Sequence, residues 1–218
     1  DSSVLTHDYA QDIFVLELDI AGNFRWAERI YGGDDEEGQA LQYADNGDLW
    51  VAGYSMVDTT ETLILDVISA SPLSNKESPF LARFDSLGTP LSLQLPFVGK
   101  AKINALTISP TGEVYLAGYF FTSILTLANE TLYNPYNPVY DIFLAKFDAT
   151  GSPLWLRGAG VAVNEQADDI AIDDAGNVYI SGHSDSSSAG IYGLSSAMNF
   201  VFIAKYSPCL LYTSPSPR

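Results

Sequence analysis

The sequence is poor in cysteine and histidine. Its 218 residues include one cysteine, Cys209, and two histidines, His7 and His183. A single cysteine excludes an intramolecular disulfide, and the sequence has no cysteine–histidine zinc spacing, nucleophile elbow, P-loop or dinucleotide-binding glycine pattern. His183 occupies a position held by tyrosine in the other copies of an internal repeat, which favours a structural role over that of a ligand or base.

Basic residues are also scarce, and this limits the kinds of partner that the protein can bind. Ten Lys and Arg stand against 27 Asp and Glu, a net charge of −17. Nucleic acid is excluded because its binding requires phosphate neutralisation, and anionic membrane surfaces are disfavoured for the same reason. No apolar run of about 18 residues is present, so direct membrane insertion is not expected. The acidity is interpreted as solubility of a β-rich chain, with cation binding as the alternative.

Two sequence modules alternate along the chain and define a repeat of about 64 residues. The first module is anchored by Phe14, Phe80, Phe143 and Phe202, at intervals of 66, 63 and 59 residues. The second module carries Gly47, Gly112 and Gly176, at intervals of 65 and 64 residues. The repeat phase, with a first residue Asp1 and no leader pattern, favours a start within a longer protein over a cleaved signal peptide.

Each module has the alternation of a β-hairpin. In the first copy, Phe14, Leu16 and Leu18 are predicted to share one face of a strand. Both hairpins turn on a glycine that follows Asp, Asn, Ser or Pro, the chemistry of a type I turn closed by a left-handed residue. Positive φ is therefore predicted at six glycines, namely Gly22, Gly47, Gly88, Gly112, Gly151 and Gly176.

Proline sets the order of the strands. Pro90 and Pro153 lie two residues past a turn glycine in the last strand of the first module. Because proline cannot donate to a ladder, this strand is predicted to be the outer edge of its sheet. A blade then runs inner hairpin, insert, outer hairpin, and the inserts at 55–78, 120–140 and 184–198 are predicted to be loops on one rim.

The predicted fold class is all-β, a β-propeller-like array of four-stranded antiparallel blades forming an incomplete propeller or open arc. Residues 1–207 are assigned to one array, with an outer hairpin at 12–31, blades at 38–96 and 103–157, and a partial blade at 167–206. Residues 208–218 are a non-native or linker tail. From about Cys209 the tail looks like sequencing-adapter read-through ending a truncated metagenomic reading frame, so it is left out of functional reasoning.

The first and third copies carry a family resemblance that covers about residues 11–207. Tyr31-Gly-Gly-Asp-Asp-Glu-Glu-Gly38 and Leu49-Trp-Val-Ala-Gly-Tyr54, with the module at Asp141, resemble the SBBP β-propeller repeat family. The second copy departs from the pattern, with Gly99-Lys-Ala-Lys102 at its corner. The resemblance implies an extracellular or cell-surface microbial propeller, and it implies no shared catalytic residues.

Carboxylates are the only abundant reactive groups. They cluster at two places predicted to be corresponding corners before an inner strand, and could bind Ca²⁺ through oxygen ligands. The candidates are Asp34, Asp35, Glu37, Asp168 and Asp169. A solvated acidic corner is the favoured interpretation, because the Asp-x-Asp-x-Asp-Gly loop is missing and the second copy has lysines there. No catalytic or cofactor-binding residue is assigned.

Repeated aromatic positions allow two interpretations. Trp26 aligns with Trp155, and Trp50 aligns with tyrosines, which favours packing between blades over carbohydrate stacking. The leading functional hypothesis is a non-enzymatic extracellular scaffold that binds a protein or glycan through rim loops and needs the remaining blades of its parent. The alternative is a fragment of a propeller enzyme, a carboxylate-based hydrolase or lyase whose site needs missing blades.

Overall fold

β-Strands make up the regular structure of the described residues. The structure is a computed structural model that describes residues 10–74, 77–160, 162–185 and 200–207. His7, the tail 208–218 and most of the third insert lie outside these ranges, within which no helix is long and apolar enough to cross a bilayer. The strands are β1 (Ile13–Leu18), β2 (Phe24–Tyr31), β3 (Glu36–Tyr43), β4 (Leu49–Ser55), β5 (Leu63–Leu65), β6 (Ile68–Ala70), β7 (Ser78–Phe84), β8 (Pro90–Gln94), β9 (Phe97–Val98), β10 (Ala101–Ile108), β11 (Val114–Phe120), β12 (Ile124–Leu127), β13 (Glu130–Tyr133), β14 (Asp141–Phe147), β15 (Pro153–Ala159), β16 (Glu165–Ile172), β17 (Val178–Ser184) and β18 (Phe200–Tyr206).

The strands form blades in the predicted order. Two complete antiparallel sheets have the orders β3-β4-β7-β8 and β10-β11-β14-β15, and a third described sheet has β16-β17-β18. β1 and β2 form the outer pair of a preceding blade. The inner strand β10 contacts both β3 and β16, so the inner strands of successive blades lie side by side. This arrangement confirms an all-β, propeller-like array of four-stranded blades that is open.

The turn chemistry predicted from the glycines is confirmed. All six turn glycines have φ between 76° and 92°. In each turn the glycine N–H donates to the carbonyl three residues earlier, as Gly151 does to Asp148 at 3.0 Å. The Asp148 carboxylate accepts the Thr150 hydroxyl and the N–H groups of Ser152 and Thr150, and these bonds hold its pKa below the usual range. Some of the acidic residues therefore have a structural role as hydrogen-bond acceptors in the turns.

The prolines mark the outer strands as predicted. Pro90 opens β8 and Pro153 opens β15, and each of these strands is the last in its sheet. Pro90 pairs with Phe84, and Pro153 with Phe147, at a register shift where the ladder is already irregular. A missing N–H is tolerated at the first residue of an edge strand.

The hydrophobic core lies between neighbouring blades. In one cluster, Trp50 and Leu81 of the first complete blade pack with Leu116, Phe143 and Phe147 of the second. Similar clusters lie on either side, between β1–β2 and the first complete blade, and between the second complete blade and β16–β18. Each blade therefore depends on its neighbours to bury both of its faces.

The prediction that the inserts are loops is wrong for the two described ones. Residues 55–78 contain the hairpin β5–β6, whose Leu65 pairs with Ile30 of β2. Residues 120–140 contain β12–β13, whose Leu127 pairs with Phe97 of β9. The first hairpin pairs with β2, the outer strand of the preceding blade, and the second pairs with β9, the short strand that follows the outer strand β8. Each hairpin also packs on the outer strand of its own blade. We call these two hairpins the clasps.

Candidate functional site

A buried glutamate occupies the corner before the inner strand β3. The Glu36 side chain accepts hydrogen bonds from Ser55 Oγ (3.0 Å) and the Gly32 N–H (2.9 Å), and the residue is only 2% exposed. Loss of hydration raises the pKa of Glu36 to about 7, and the charges of Asp12 and Asp34 also raise it. The hydrogen bonds act in the opposite direction but do not offset the burial.

The Glu–Ser pair of this corner recurs in the blade of β16 and β17, and in the second complete blade both of its residues are replaced together. Glu36 pairs with Ser55 across β3 and β4, and Glu165 pairs with Ser184 across β16 and β17. The second complete blade has Ala101 opposite Phe120 at this place, and both are buried. An apolar pair thus replaces a polar one, which explains why the second copy lacks the acidic corner motif.

The residue before the buried glutamate ties one blade to the next. Asp35 Oδ1 accepts the Gln11 N–H at 2.9 Å, and the Glu36 N–H donates to the Gln11 carbonyl at 2.8 Å. In the later blade, Asn164 Oδ1 accepts the Tyr140 N–H at 3.1 Å in the same way. An amide serves as well as a carboxylate, so this acceptor has a structural role that needs no charge.

The predicted correspondence between the two acidic clusters is wrong. The positions equivalent to Asp35 and Glu36 are Asn164 and Glu165, because the pairings with β4 and β17 match there. Asp168 and Asp169 lie further along, inside strand β16. The spacing to the turn glycines gives the same correspondence, since Asp35 precedes Gly47 by 12 residues and Asn164 precedes Gly176 by 12 residues.

The five calcium candidates make separate contacts. Among the described residues, no group of three or more Asp, Glu, His or Cys side chains is arranged to hold a metal ion. Asp168 faces His183, with Oδ2 at 2.8 Å from Nδ1 on the exposed surface. Asp169 accepts the N–H of Ile170, and Glu37 accepts from Gln39. The proposal of Ca²⁺ binding at these carboxylates therefore has no preformed cluster to support it.

Cations on β7 and β14, the third strands of the two complete blades, repeat one arrangement. Arg83 pairs with Asp48 and lies 5.3 Å from the ring centre of Trp50. Lys146 pairs with Glu113 at 2.7 Å and lies over Tyr115. Such pairs combine an ion pair with a cation–π contact, so these charges stabilise the blade.

Two tryptophans lie between blades. Trp50 is buried in the cluster that joins the two complete blades. Trp26 of β2 stacks on Phe84 of the next blade, with ring centres 5.8 Å apart. Trp155 meets Tyr115 edge to face at 6.0 Å within one blade. These contacts favour packing over carbohydrate stacking as the role of the repeated aromatic positions.

An open groove lies along the free edge of β1. It has a volume of about 680 Å³ and is lined by β1 and β3 with the start of β4. β1 pairs with β2 on one side, and the described residues place no strand on its other side. The equivalent strands β7 and β14 pair there with β4 and β11, so the groove has the position of the inner hairpin of the same blade.

Another buried carboxylate lies at the start of β14. Asp141 is 6% exposed, and its Oδ1 has no hydrogen-bond partner. Loss of hydration raises the pKa of Asp141 to about 6. Its equivalent at the start of β1, Asp12, instead accepts from Arg29. Sequence reasoning missed Asp141 because it lies outside the acidic clusters, although Gly158 in β15 and Gly160 just after it are visible in the sequence.

The fold and these corners define the class of the protein as a β-propeller-type repeat array. No protein-family model matches the chain. It is similar to an uncharacterized WD repeat-containing protein, L264, of Acanthamoeba polyphaga mimivirus, with 24% identity over 185 residues. The match covers 78% of this chain but only 13% of the length of that protein.

The clasps account for the unusual length of the repeat. WD repeats are about 40–45 residues long and supply four strands. In this chain 22 residues separate β4 from β7 and 20 separate β11 from β14, and each of these segments holds a clasp. Without them the repeat has about the length of a WD repeat.

Proposed function

We propose that the chain is part of a non-enzymatic β-propeller that serves as a rigid scaffold or binding module for a protein or glycan. The observation that carries the proposal is the use of reactive side chains at repeated positions for internal contacts. Glu36 is bonded to Ser55 and Gly32, Arg83 pairs with Asp48, and the turn aspartates accept backbone N–H groups. Recognition is then left to the surface between these positions.

The proposed partners include the remaining blades of the parent protein. The free edge of β1 and the groove beside it have the geometry that an inner hairpin occupies in the complete blades. We propose that an inner hairpin of the type of β10–β11, from another part of the parent protein, occupies this groove. An extracellular or cell-surface location in a microbe is proposed on the resemblance to SBBP repeats.

A comparison of binding with turnover tests the proposed function. Binding of the complete parent protein to glycan arrays and to surface proteins is measured. Turnover is measured by incubating it with a panel of polysaccharides. We expect saturable binding without turnover, unchanged when Glu36→Gln and Glu165→Gln are introduced separately. Turnover that either substitution abolishes would contradict the proposal and support the carboxylate hydrolase or lyase. Surface labelling of intact cells tests the proposed location.

A further inference from the structure

Two equivalent corners of the array differ in how they satisfy a buried aspartate. Residues 12–55 align without gaps with residues 141–184, 129 positions later. At the first corner, Arg29 Nε and Nη2 lie 2.8 and 2.6 Å from Asp12 Oδ2. The guanidinium also lies 4.2 Å from the ring centre of Tyr31. A charge-assisted bond and a cation–π contact together hold this cation.

At the second corner both groups are replaced by glycine. Phe14 pairs with Arg29 in the first blade, and Phe143 pairs with Gly158 at the same place in the later one. The position of Tyr31 is taken by Gly160. Asp141 therefore keeps the buried carboxylate but has neither the guanidinium nor the ring, and its Oδ1 is left without a partner.

A cavity lies where the missing groups would be. It has a volume of about 280 Å³, and Asp141 lines it together with Gly158, Leu132, Tyr133 and Tyr136. The volume suits one side chain rather than a drug-sized ligand. Tyr133 and Tyr136 are 72% and 53% exposed, so the side of the cavity that they line faces solvent.

The clasp determines the direction of entry. A Cβ at Gly158 would lie 2.8 Å from Leu132 Cδ1, so Leu132 of β13 fills the path that the stem of Arg29 takes at the first corner. A Cβ at Gly160 would lie 2.2 Å from the Asp141 carboxyl, so the carboxyl packs directly on this backbone. A cation must therefore reach Asp141 from the tyrosine side, that is, from outside the chain.

The chemistry of the cavity selects a planar organic cation. Asp141 is the one charged side chain among its lining residues, so an anion would be repelled and Ca²⁺ would lack the six to eight oxygens it takes. A guanidinium can donate two parallel hydrogen bonds to a carboxylate while its face lies on a tyrosine ring. At Asp12 two guanidinium nitrogens reach one carboxylate oxygen, Oδ2, and the guanidinium lies over the Tyr31 ring, so the same protein already holds a guanidinium between a carboxylate and a tyrosine.

We propose that the cavity at Asp141 binds a guanidinium group, carried by an arginine side chain of a partner protein. The partner's arginine takes the role that Arg29 has at Asp12. The assignment of the source to a protein rests on the proposed binding function. The guanidinium site itself is tested on this chain alone, so it can fail or stand independently of that function.

The test uses N-acetyl-arginine N-methylamide as the probe. The 218-residue chain is titrated at constant ionic strength and followed by NMR chemical shifts, with the lysine analogue, methylguanidinium and sodium chloride as comparisons. We expect saturable binding of the arginine probe, weakened about tenfold or more by Asp141→Asn, because a hydrogen bond to a charged group contributes that much. Asp45→Asn, which removes one exposed charge elsewhere, should bind as the wild type does.

Three outcomes would overturn parts of the proposal. Unchanged affinity in Asp141→Asn, or shifts equal to those caused by sodium chloride, would remove the site. Equal affinity for the lysine analogue would remove the selectivity for guanidinium. Equal affinity for methylguanidinium and the capped arginine would assign the site to a free guanidinium compound and overturn the protein partner. The Asn variant is expected to fold because it removes a buried, unpaired charge.

Discussion

Glu36 is a single residue whose burial disfavours its charge. The local sequence, a run of acidic residues, suggests instead that it is exposed to solvent. It stands in a run of four acids, yet its neighbours Asp35 and Glu37 are exposed while it is enclosed. Its raised pKa follows from that enclosure. Ionised Glu36 is therefore less favourable in the folded protein than in the unfolded chain.

Glu36→Gln should change how stability depends on pH. The pKa of Glu36 is 4.5 unfolded and about 7 folded. The wild type is thus most stable below pH 4.5 with respect to this group and loses up to about 3 kcal/mol as pH rises to 7. The variant can accept the Gly32 N–H with its amide oxygen and donate its amide N–H to Ser55 Oγ. Its stability relative to the wild type should therefore increase over this window, as measured by denaturant unfolding.

The difference between the variant and the wild type isolates Glu36 from other titrating groups such as Asp141. Glu37→Gln serves as the matched control because Glu37 is the exposed neighbour. A difference that stays constant from pH 4.5 to 8 would show that Glu36 is not the buried titrating group.

The clasps matter at the scale of elements. Each is a short hairpin, three or four residues per strand, that pairs with one blade and packs on the next. Glu130 of the second clasp accepts the Leu156 N–H at 2.6 Å and pairs with Arg157. The clasps had no readable signal in the sequence because their turns, Asp66-Val67 and Ala128-Asn129, contain no glycine.

Ala128→Gly should stabilise the protein. Ala128 has φ of 51°, in the left-handed region that costs an L-residue about 1–2 kcal/mol. Glycine removes that cost but loses more entropy on folding, so we expect a net gain of about 0.5–1 kcal/mol in the free energy of unfolding. Thermal unfolding measures it, with Asn129→Gly as the control, since Asn129 does not have positive φ.

The control should be neutral or destabilising. A gain from Ala128→Gly in global unfolding shows that the clasp unfolds together with the blades. No gain, while the turn itself retains its structure, would mean that the clasp opens independently and is not part of the cooperative unit.

The two ends of the arc govern behaviour at the scale of the whole molecule. Phe14, Leu16 and Leu18 are exposed on β1, although the equivalent residues of β7 and β14 are fully buried between blades. At the other end, Val201 and Ile203 are exposed on β18. The ends thus present the two different halves of an interface that the array repeats internally.

The chain alone should associate head to tail. The β1 face of one copy is expected to pack on the β16–β18 sheet of another, a heterologous contact that does not close. Sedimentation velocity should show an average mass that rises with concentration. Leu16→Glu should suppress it, whereas Leu87→Glu, at an exposed turn, should not. The prediction would be contradicted if the chain stayed monomeric at all concentrations up to about 100 µM, since a weak association in the micromolar range would be visible there.

The sequence by itself determined the blade, because the features that define it are local. Period-two alternation, turn glycines that need positive φ, and prolines excluded from ladder positions act over a few residues and can be read without knowing the neighbours. The tertiary structure decided the rest. The burial of Glu36, the pairing of the clasps with a preceding blade and the unpartnered carboxylate of Asp141 each depend on segments about 20 or more residues apart. Loss of hydration depends on what those distant segments place around a group, and no local pattern encodes it.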